Sequence, residues 1–369
     1  MLGILRFFLA SCVILFHLSG QAPGLGQFSV NFFYVLSGFL MTLVLQQQYQ
    51  FDWLRFSLNR FLRLYPTYFF FLTIGALVIF FGPDATKFHP CWTKNFLSGD
   101  VLGNILIFPW AFLSDHAVSS PLAAFTDHYP AHVDGMRFRI VTSSWSVAVE
   151  IVCYFLLWLF VARNRLCAAL SFIVAAAYHF YVVTHFGSLE MTYFPIFAAL
   201  LPFSCGACGY FLLKEIEGSN LYSFISSQNP GFIFLVAVTL FLLNWWGFYL
   251  FLGNSWYFTF YYINTGLALL VTMIFINCSL SKKGARMAQL LGDLSYPIFL
   301  SQYFGGYLAW MVLGREQAPR GWFIFILGYI FSLGLSLIAV RCIDRPLTIL
   351  RDQVRKNQLK QATRQSLAV

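Results

Sequence analysis

Long runs of apolar residues dominate the chain, and most are separated by only short polar breaks. Each run holds about 20 mostly apolar residues, the length that a helix needs to cross a bilayer. The runs are continuous and do not alternate every second residue, which favours membrane helices over a transmembrane β-barrel. The pattern predicts an all-α polytopic membrane protein with about ten transmembrane helices, at residues 4–20, 28–48, 62–82, 142–162, 166–186, 192–214, 230–247, 257–279, 290–312 and 321–343.

Composition supports this class. Of the 369 residues, 59% are hydrophobic and only 10% are charged, whereas soluble domains average about 25% charged residues. A secretory signal peptide is the alternative for residues 1–20, but no A-x-A cleavage site follows and His17 would interrupt the apolar core. We therefore treat the first run as a retained helix.

The distribution of Lys and Arg predicts the orientation. With both termini in the cytoplasm, 17 of the 23 basic residues fall on the cytoplasmic side, as the positive-inside rule requires. The net charge of +9 is then a topology signal, and no aromatic-basic motif indicates nucleic-acid binding. This predicts a transmembrane domain over 1–343 with an external loop at 83–141, and a polar basic cytoplasmic tail over 344–369 that can reach anionic lipid heads.

Three ionisable residues stand out because charge is costly within a membrane helix and usually faces an interior site. Arg6 and His17 lie in the first predicted span, and Glu150 lies in the fourth. At about 1.5 Å of rise per residue, His17 lies roughly 20 Å and Glu150 roughly 18 Å from the inner boundary. Two ionisable groups at one depth favour a shared site in the outer half of the membrane.

A cluster of arginines is predicted at the inner boundary. Arg60 and Arg63 are three residues apart, hence on one helical face, at the level of Arg6. Ordinary positive-inside flanking is one interpretation, and an anion site is the other, because guanidinium groups offer forked donors to phosphate oxygens. The eleven residues from Arg6 to His17 span about 16 Å of helix, so an anchored carrier with an extended arm of that length, such as acyl-coenzyme A, would reach His17.

Five short motifs follow one another along the chain: Arg6-x10-His17, NFFYVLSGFL from Asn31 to Leu40, Arg60-x-x-Arg63, WSVAVE from Trp145 to Glu150 and, more weakly, GDLSYPIFLSQ from Gly292 to Gln302. This ordered set resembles the membrane-bound acyltransferase family 3. The family commonly has Asp where this chain has Gly3, and a late His where it has Gln302.

The resemblance implies an O-acyltransferase that moves an acyl group, by default acetyl, from cytoplasmic acyl-CoA to a hydroxyl of a cell-surface carbohydrate. His17 would be the general base, with Glu150 orienting it, and an acyl-imidazole on His17 or an ester on Ser37 would each be a conceivable intermediate. The implied localisation is a bacterial inner membrane, and a homo-oligomer stays open. Arg6, Arg60 and Arg63 would bind acetyl-CoA, and Asn31, Ser37, Trp145, Ser146 and Tyr296 would bind substrate or support the site.

Other features are interpreted as structural. Ser37-Gly38 favours close helix packing. Cys205-x-x-Cys208 has the spacing of a redox or metal pair, but the small residues around it favour close packing there too. In FTDHYPAHVDG, His128 and His132 have a metal-like spacing, but Pro130 breaks the helix that would align them, so we expect no metal.

A transporter or flippase is the competing class, because midplane ionisable residues also line transport pathways. The one-sided basic cluster and the absence of an inverted repeat favour the acyltransferase.

Overall fold

The computed structural model describes residues 1–93, 96–112, 137–220, 222, 228–252 and 256–354. Within these ranges the chain is mostly helical and contains no β-strand. Single π-helical turns, over Leu45–Tyr49, Leu157–Val161 and Val340–Asp344, prolong three of the α-helices. The described helices are α1 (Leu2–Ser19), α2 (Leu25–Val44), α3 (Trp53–Phe81), α4 (Ala85–Phe88), α5 (Ser98–Leu106), α6 (Ser144–Leu156), α7 (Arg165–His185), α8 (Ile196–Ile216), α9 (Pro230–Leu250), α10 (Tyr257–Phe275), α11 (Lys282–Val312) and α12 (Trp322–Ala339).

The prediction of an all-α polytopic membrane protein is confirmed. Nine of the described helices are long and apolar enough to cross a membrane. The remaining predicted span, 290–312, corresponds to α11, which is not in this set. Within 290–312 this helix carries polar residues, among them Asp293, Ser301 and Gln302, which lower its mean hydropathy. The helix itself is nevertheless 31 residues long and packs among the others.

Two helices begin well before the predicted spans, because hydropathy detects the apolar part of a helix and not its capped start. The Asp52 carboxylate accepts a hydrogen bond from the Arg55 amide at 3.2 Å and so caps α3. The Ser281 hydroxyl accepts from the Gly284 amide at 3.2 Å and caps α11. The extra turns lie at the end of the bundle where α1 begins, which we call the basic end; the opposite end is the far end.

Small residues bring the central helices into close contact. A Cβ built on Gly38 of α2 would lie 2.1 Å from the Phe203 carbonyl oxygen of α8, and one on Gly206 would lie 2.1 Å from the Val35 carbonyl oxygen. Such distances leave no room for a side chain, so glycine is required where these helices cross. Helix α1 packs against α2, α11 and α12, which puts the Arg6-to-His17 stretch in the centre of the bundle.

Helix α5, in the connection between α3 and α6, packs against the helix bundle. The hydroxyls of Tyr65 and Tyr68, midway along α3, donate to the backbone carbonyls of Leu106 and Asn104, each at 2.6 Å. Tyr68 is 13 residues from the last residue of α3, or about 20 Å along the helix. Helix α5, within the predicted loop 83–141, therefore packs back against the middle of α3; the external position of this loop stays a prediction.

Candidate active site

A cavity of about 620 Å³ lies among α1, α2, α3, α6 and α11. Its α2 lining runs from Val30 to Val44, which corresponds to about 21 Å of helix. Four arginines line the cavity at the basic end, and mostly apolar side chains line it towards the far end. The arginines are Arg6, Arg60, Arg63 and Arg351; the residues towards the far end include Val30, Phe33, Tyr34, Ser146, Val147 and Phe299.

The structure brings together the three arginines that the sequence singled out. The Arg60 Nη2 donates to Asn59 Oδ1 at 2.8 Å, while the Nε of Arg60 is buried and has no hydrogen-bond partner among the described residues. The Arg63 Nη1 lies 3.9 Å from Asp293 Oδ1, a loose ion pair. Arg6 forms no ion pair with a described residue. The basic end of the cavity thus carries guanidinium donors that the protein itself leaves largely unused.

Arg351 is a member of this group that sequence reasoning missed, since the predicted transmembrane domain stopped at 343. Residues 345–354 continue the last helix beyond its π turn and bring Arg351 to the cavity. Seven residues, about two helical turns, separate it from the buried Asp344. A possible signal was that spacing: two charged residues seven apart share one helical face.

The close packing around Gly3 explains why no acidic residue stands three positions before Arg6. A Cβ on Gly3 would lie 1.9 Å from the Ala288 carbonyl oxygen and 3.2 Å from the Cα of Gly292. Helices α1 and α11 therefore touch through backbone at this point, and an Asp side chain does not fit. Asp293, the residue after Gly292, lines the same cavity from α11.

Glu150 lies in this cavity as the acceptor of two hydroxyl groups. The Ser37 Oγ donates to Glu150 Oε1 at 2.7 Å, and the Tyr154 hydroxyl donates to the same oxygen. All three side chains line the cavity. A serine hydroxyl bonded to a carboxylate has the arrangement of a nucleophile beside its base, so Ser37 has a chemical partner besides its packing position next to Gly38.

His17 has a different environment. A hydrogen bond of 2.7 Å joins its Nδ1 to the Tyr303 hydroxyl of α11, and Glu150 makes no hydrogen bond to it within the part of the chain that the structure describes. The expectation that Glu150 orients His17 is therefore not met in this structure, since Tyr303 has that position. Depth along a helix had suggested the pairing, but equal depth does not fix the direction in which each side chain points.

The cavity ends one helical turn before Tyr303, the residue that is hydrogen-bonded to His17. Phe299 lines the cavity, and Tyr303 follows it by four residues, about 6 Å along α11. Two groups bind the Phe299 carbonyl between these levels: the Ser143 hydroxyl donates at 3.1 Å and the Gln302 Nε2 at 3.0 Å. His17 is thus beyond the far end of the cavity, close to residues 82–93 that follow α3, which we call the outer segment.

His89, from that outer segment, packs on the same tyrosine. Its ring lies 4.5 Å from the Tyr303 ring, centroid to centroid, and the Cys91 amide donates to its Nδ1 at 3.1 Å. That bond leaves the proton of the neutral imidazole on Nε2. Burial, and then the nearby positive charges, lower the pKa of His89 to about 3, so it stays neutral over the physiological range.

The remaining predicted residues divide between the cavity and the packing. Ser146 and Tyr296 line the cavity, and the Tyr296 hydroxyl donates to the Leu64 carbonyl at 3.0 Å. Asn31 is fully buried, and its Oδ1 accepts from Asn264 Nδ2 at 2.9 Å, which ties α2 to α10. Trp145 packs its ring against two aromatic neighbours outside the cavity lining.

Of the cysteine and histidine pairs interpreted as non-functional, the cysteine pair is described by the structure and is not part of the cavity lining. Cys205 and Cys208 are free thiols on α8, where the neighbouring Gly206 makes the close contact with α2. His128 and His132 lie outside the described residues. Among the described residues, no group of three or more His, Cys, Asp or Glu side chains is arranged to hold a metal ion.

Comparison with known proteins gives one match. A family model described as an acyltransferase domain matches residues 2–341, nearly the whole chain. No curated protein and no solved structure match.

Proposed function

The chain belongs to acyltransferase family 3, and from this premise we propose that it transfers an acyl group from cytoplasmic acyl-CoA to a hydroxyl on the opposite side of the membrane. It is a multi-pass membrane acyltransferase; the donor, acceptor and membrane are the proposal. The observation that carries the proposal is the cavity. Four arginines line one end of it, and its lining runs about 21 Å along α2. Its other end lies within one helical turn of Tyr303, which is hydrogen-bonded to His17.

The donor would bind with its phosphates at Arg6, Arg60 and Arg63, because guanidinium groups offer paired donors to phosphate oxygens. Its pantetheine arm would follow the apolar lining beyond Tyr34, and its thioester would approach the turn between Phe299 and Tyr303. The positive-inside rule puts the basic end of the bundle in the cytoplasm, where acyl-CoA is made. The acceptor would then arrive from the far end.

His17 would act as general base through Nε2. That role needs the ring proton on Nδ1, which would then donate to the Tyr303 hydroxyl oxygen at 2.7 Å. His17 takes the proton of the acceptor hydroxyl, the acceptor oxygen attacks the thioester carbonyl, and the carbon–sulfur bond breaks. The imidazolium returns the proton to the leaving thiolate, so that the products are the ester and coenzyme A.

An acyl-enzyme on Ser37 is the second route. Glu150 would take the Ser37 proton along the 2.7 Å bond as the hydroxyl oxygen attacks the thioester carbonyl. The carbon–sulfur bond would break, and Glu150 would return the proton to the leaving coenzyme A thiolate. Ser37 and Glu150 line the cavity that would hold the donor, whereas His17 does not, which makes Ser37 the better placed nucleophile. The acceptor hydroxyl, activated by His17, would then attack the serine ester and release Ser37.

The acceptor we propose is a cell-surface carbohydrate in the envelope of a bacterium, with acetyl as the acyl group. These assignments follow from the family resemblance and from the orientation. A transporter or flippase, the competing class, would also place charged residues at mid-membrane depth, but membership of an acyltransferase family favours transfer.

The test is the His17→Ala variant in inner-membrane vesicles supplied with radiolabelled acetyl-CoA and envelope glycan. We expect loss of label from the glycan, with unchanged thermal unfolding and unchanged affinity for coenzyme A. His185→Ala, at the exposed end of α7, is the matched control and should retain full activity. Wild-type transfer rates in His17→Ala would rule out the base, and failure of the wild-type protein to label any glycan would rule out the acceptor class.

A further inference from the structure

The helical segment 345–354 is fixed to α3, the helix that carries Arg60 and Arg63. The Thr67 hydroxyl donates to the buried Asp344 carboxylate at 2.5 Å, and the Asn59 amide donates to the Arg351 carbonyl at 3.4 Å. The segment therefore has a defined position against the basic end of the cavity.

Arg351 has an unused buried donor. Its Nε is inaccessible to solvent and has no hydrogen-bond partner among the described residues, and the same holds for the Nε of Arg60. A buried donor without a partner is costly, the more so on a charged group. Both arginines line one cavity from different helices, so an anion bound there would offset the charge that these incompletely paired guanidinium groups bring into the protein interior.

The charge of the cavity points to the same ligand. Four arginines line it, against the carboxylates of Glu150 and Asp293. Glu150 is engaged by the hydroxyls of Ser37 and Tyr154, and Asp293 lies 3.9 Å from Arg63 at the edge of ion-pair distance. The excess positive charge and the forked donors of arginine fit phosphate.

We infer that Arg351 binds a phosphate group of the acyl donor, and that the helix over 345–354 is part of the donor site. This inference rests on the proposed function. It extends the donor site beyond the predicted transmembrane domain, to the end of the last helix. The same chemistry would bind the phosphate of an anionic lipid head group, so the experiment separates the two sources.

The experiment measures coenzyme A binding by calorimetry, with the full chain purified in neutral detergent without added lipid. The changed protein is Arg351→Gln, and the matched control is Arg345→Gln, which alters an exposed arginine of the same segment. Loss of one charge-assisted hydrogen bond should weaken coenzyme A about tenfold or more in Arg351→Gln. Arg345→Gln should stay within about twofold of the wild type, and pantetheine, which has no phosphate, should bind all three proteins alike.

Each other outcome has a defined meaning. If the wild type binds coenzyme A and Arg351→Gln binds it equally well, this inference is overturned while the proposed donor stands. If Arg351→Gln instead loses only phosphatidylglycerol, in nanodiscs, the ligand is a lipid head group and the inference is likewise overturned. If the wild type does not bind coenzyme A, the proposed donor is wrong and the inference falls with it.

A second variant covers the case in which Arg351→Gln does not fold. Arg351→Lys keeps the charge but loses the forked donors. It should unfold at the wild-type temperature and bind coenzyme A about threefold to tenfold more weakly. Wild-type affinity in a folded Arg351→Lys protein would show that no paired hydrogen bond to phosphate is made.

Discussion

The hydrogen bond between His17 and Tyr303 gives the sharpest prediction for the proposed chemistry. Tyr303→Phe removes one oxygen and keeps the ring that packs on His89. The side chain of Tyr303 is only 6% exposed, so water does not readily replace the lost hydroxyl. The imidazolium that forms during transfer would lose its Nδ1 acceptor, and the neutral ring would lose the group that fixes its orientation.

The size of the effect follows from the bond. A hydrogen bond to a charged group contributes about 1.5–3 kcal/mol, which corresponds to about a 10- to 150-fold loss in rate. Because Tyr303 lies beyond the far end of the cavity, the affinity for coenzyme A should not change. We therefore expect kcat to fall while the Kd for coenzyme A stays at its wild-type value.

The assay compares acyl transfer and coenzyme A binding in purified protein. Tyr307→Phe is the matched control, since its hydroxyl makes a hydrogen bond of the same length, 2.7 Å, to the Pro83 carbonyl one turn along α11. A kcat for Tyr303→Phe within twofold of the Tyr307→Phe control would refute the role of Tyr303 in orienting the base.

Two further predictions concern stability, measured as thermal unfolding of the purified protein. Gly38→Ala would force α2 and α8 apart, because its Cβ would lie 2.1 Å from the backbone oxygen of Phe203; we expect a loss of about 1–3 kcal/mol, whereas Gly266→Ala, which meets nothing within 4 Å, should cost little. His89 has a pKa lowered to about 3 by burial, so the unfolded chain binds its proton first and stability falls as the pH drops from about 6.5 towards 3, by about 2 kcal/mol at pH 5. His89→Gln should remove that part of the acid sensitivity and His185→Gln should not; equal slopes in both variants would contradict the assignment.

The fold was predictable because a bilayer imposes a simple length and composition on each spanning helix. The ends of the helices could not be predicted in this way, because they depend on capping residues and on packing. Arg351 illustrates the difference: the apolar run stops near 343, but the bond between Thr67 and Asp344 holds the next turns of helix against α3. Hydropathy carries no information about such a contact.

The site was predictable where local spacing decides it. Arg60 and Arg63 share a face because they are three residues apart, and both line the cavity. Glu150 and His17 illustrate the limit: rise per residue gives depth, but the rotation of each helix about its axis decides which side chains meet. Tyr303 gave no signal either, as one of 19 tyrosines in a chain with 20% aromatic residues.

The division of the site into two compartments has a physical basis in α11. The cavity side ends at Phe299, the His17 side begins at Tyr303, and the Phe299 carbonyl between them accepts bonds from Ser143 and Gln302. These bonds fix the turn of α11 that lies between the cavity and His17. Under the proposed function only the acyl end of the donor has to cross this turn, while the phosphates stay among arginines at the basic end. Such a separation would keep the coenzyme on one side of the membrane while the product forms on the other.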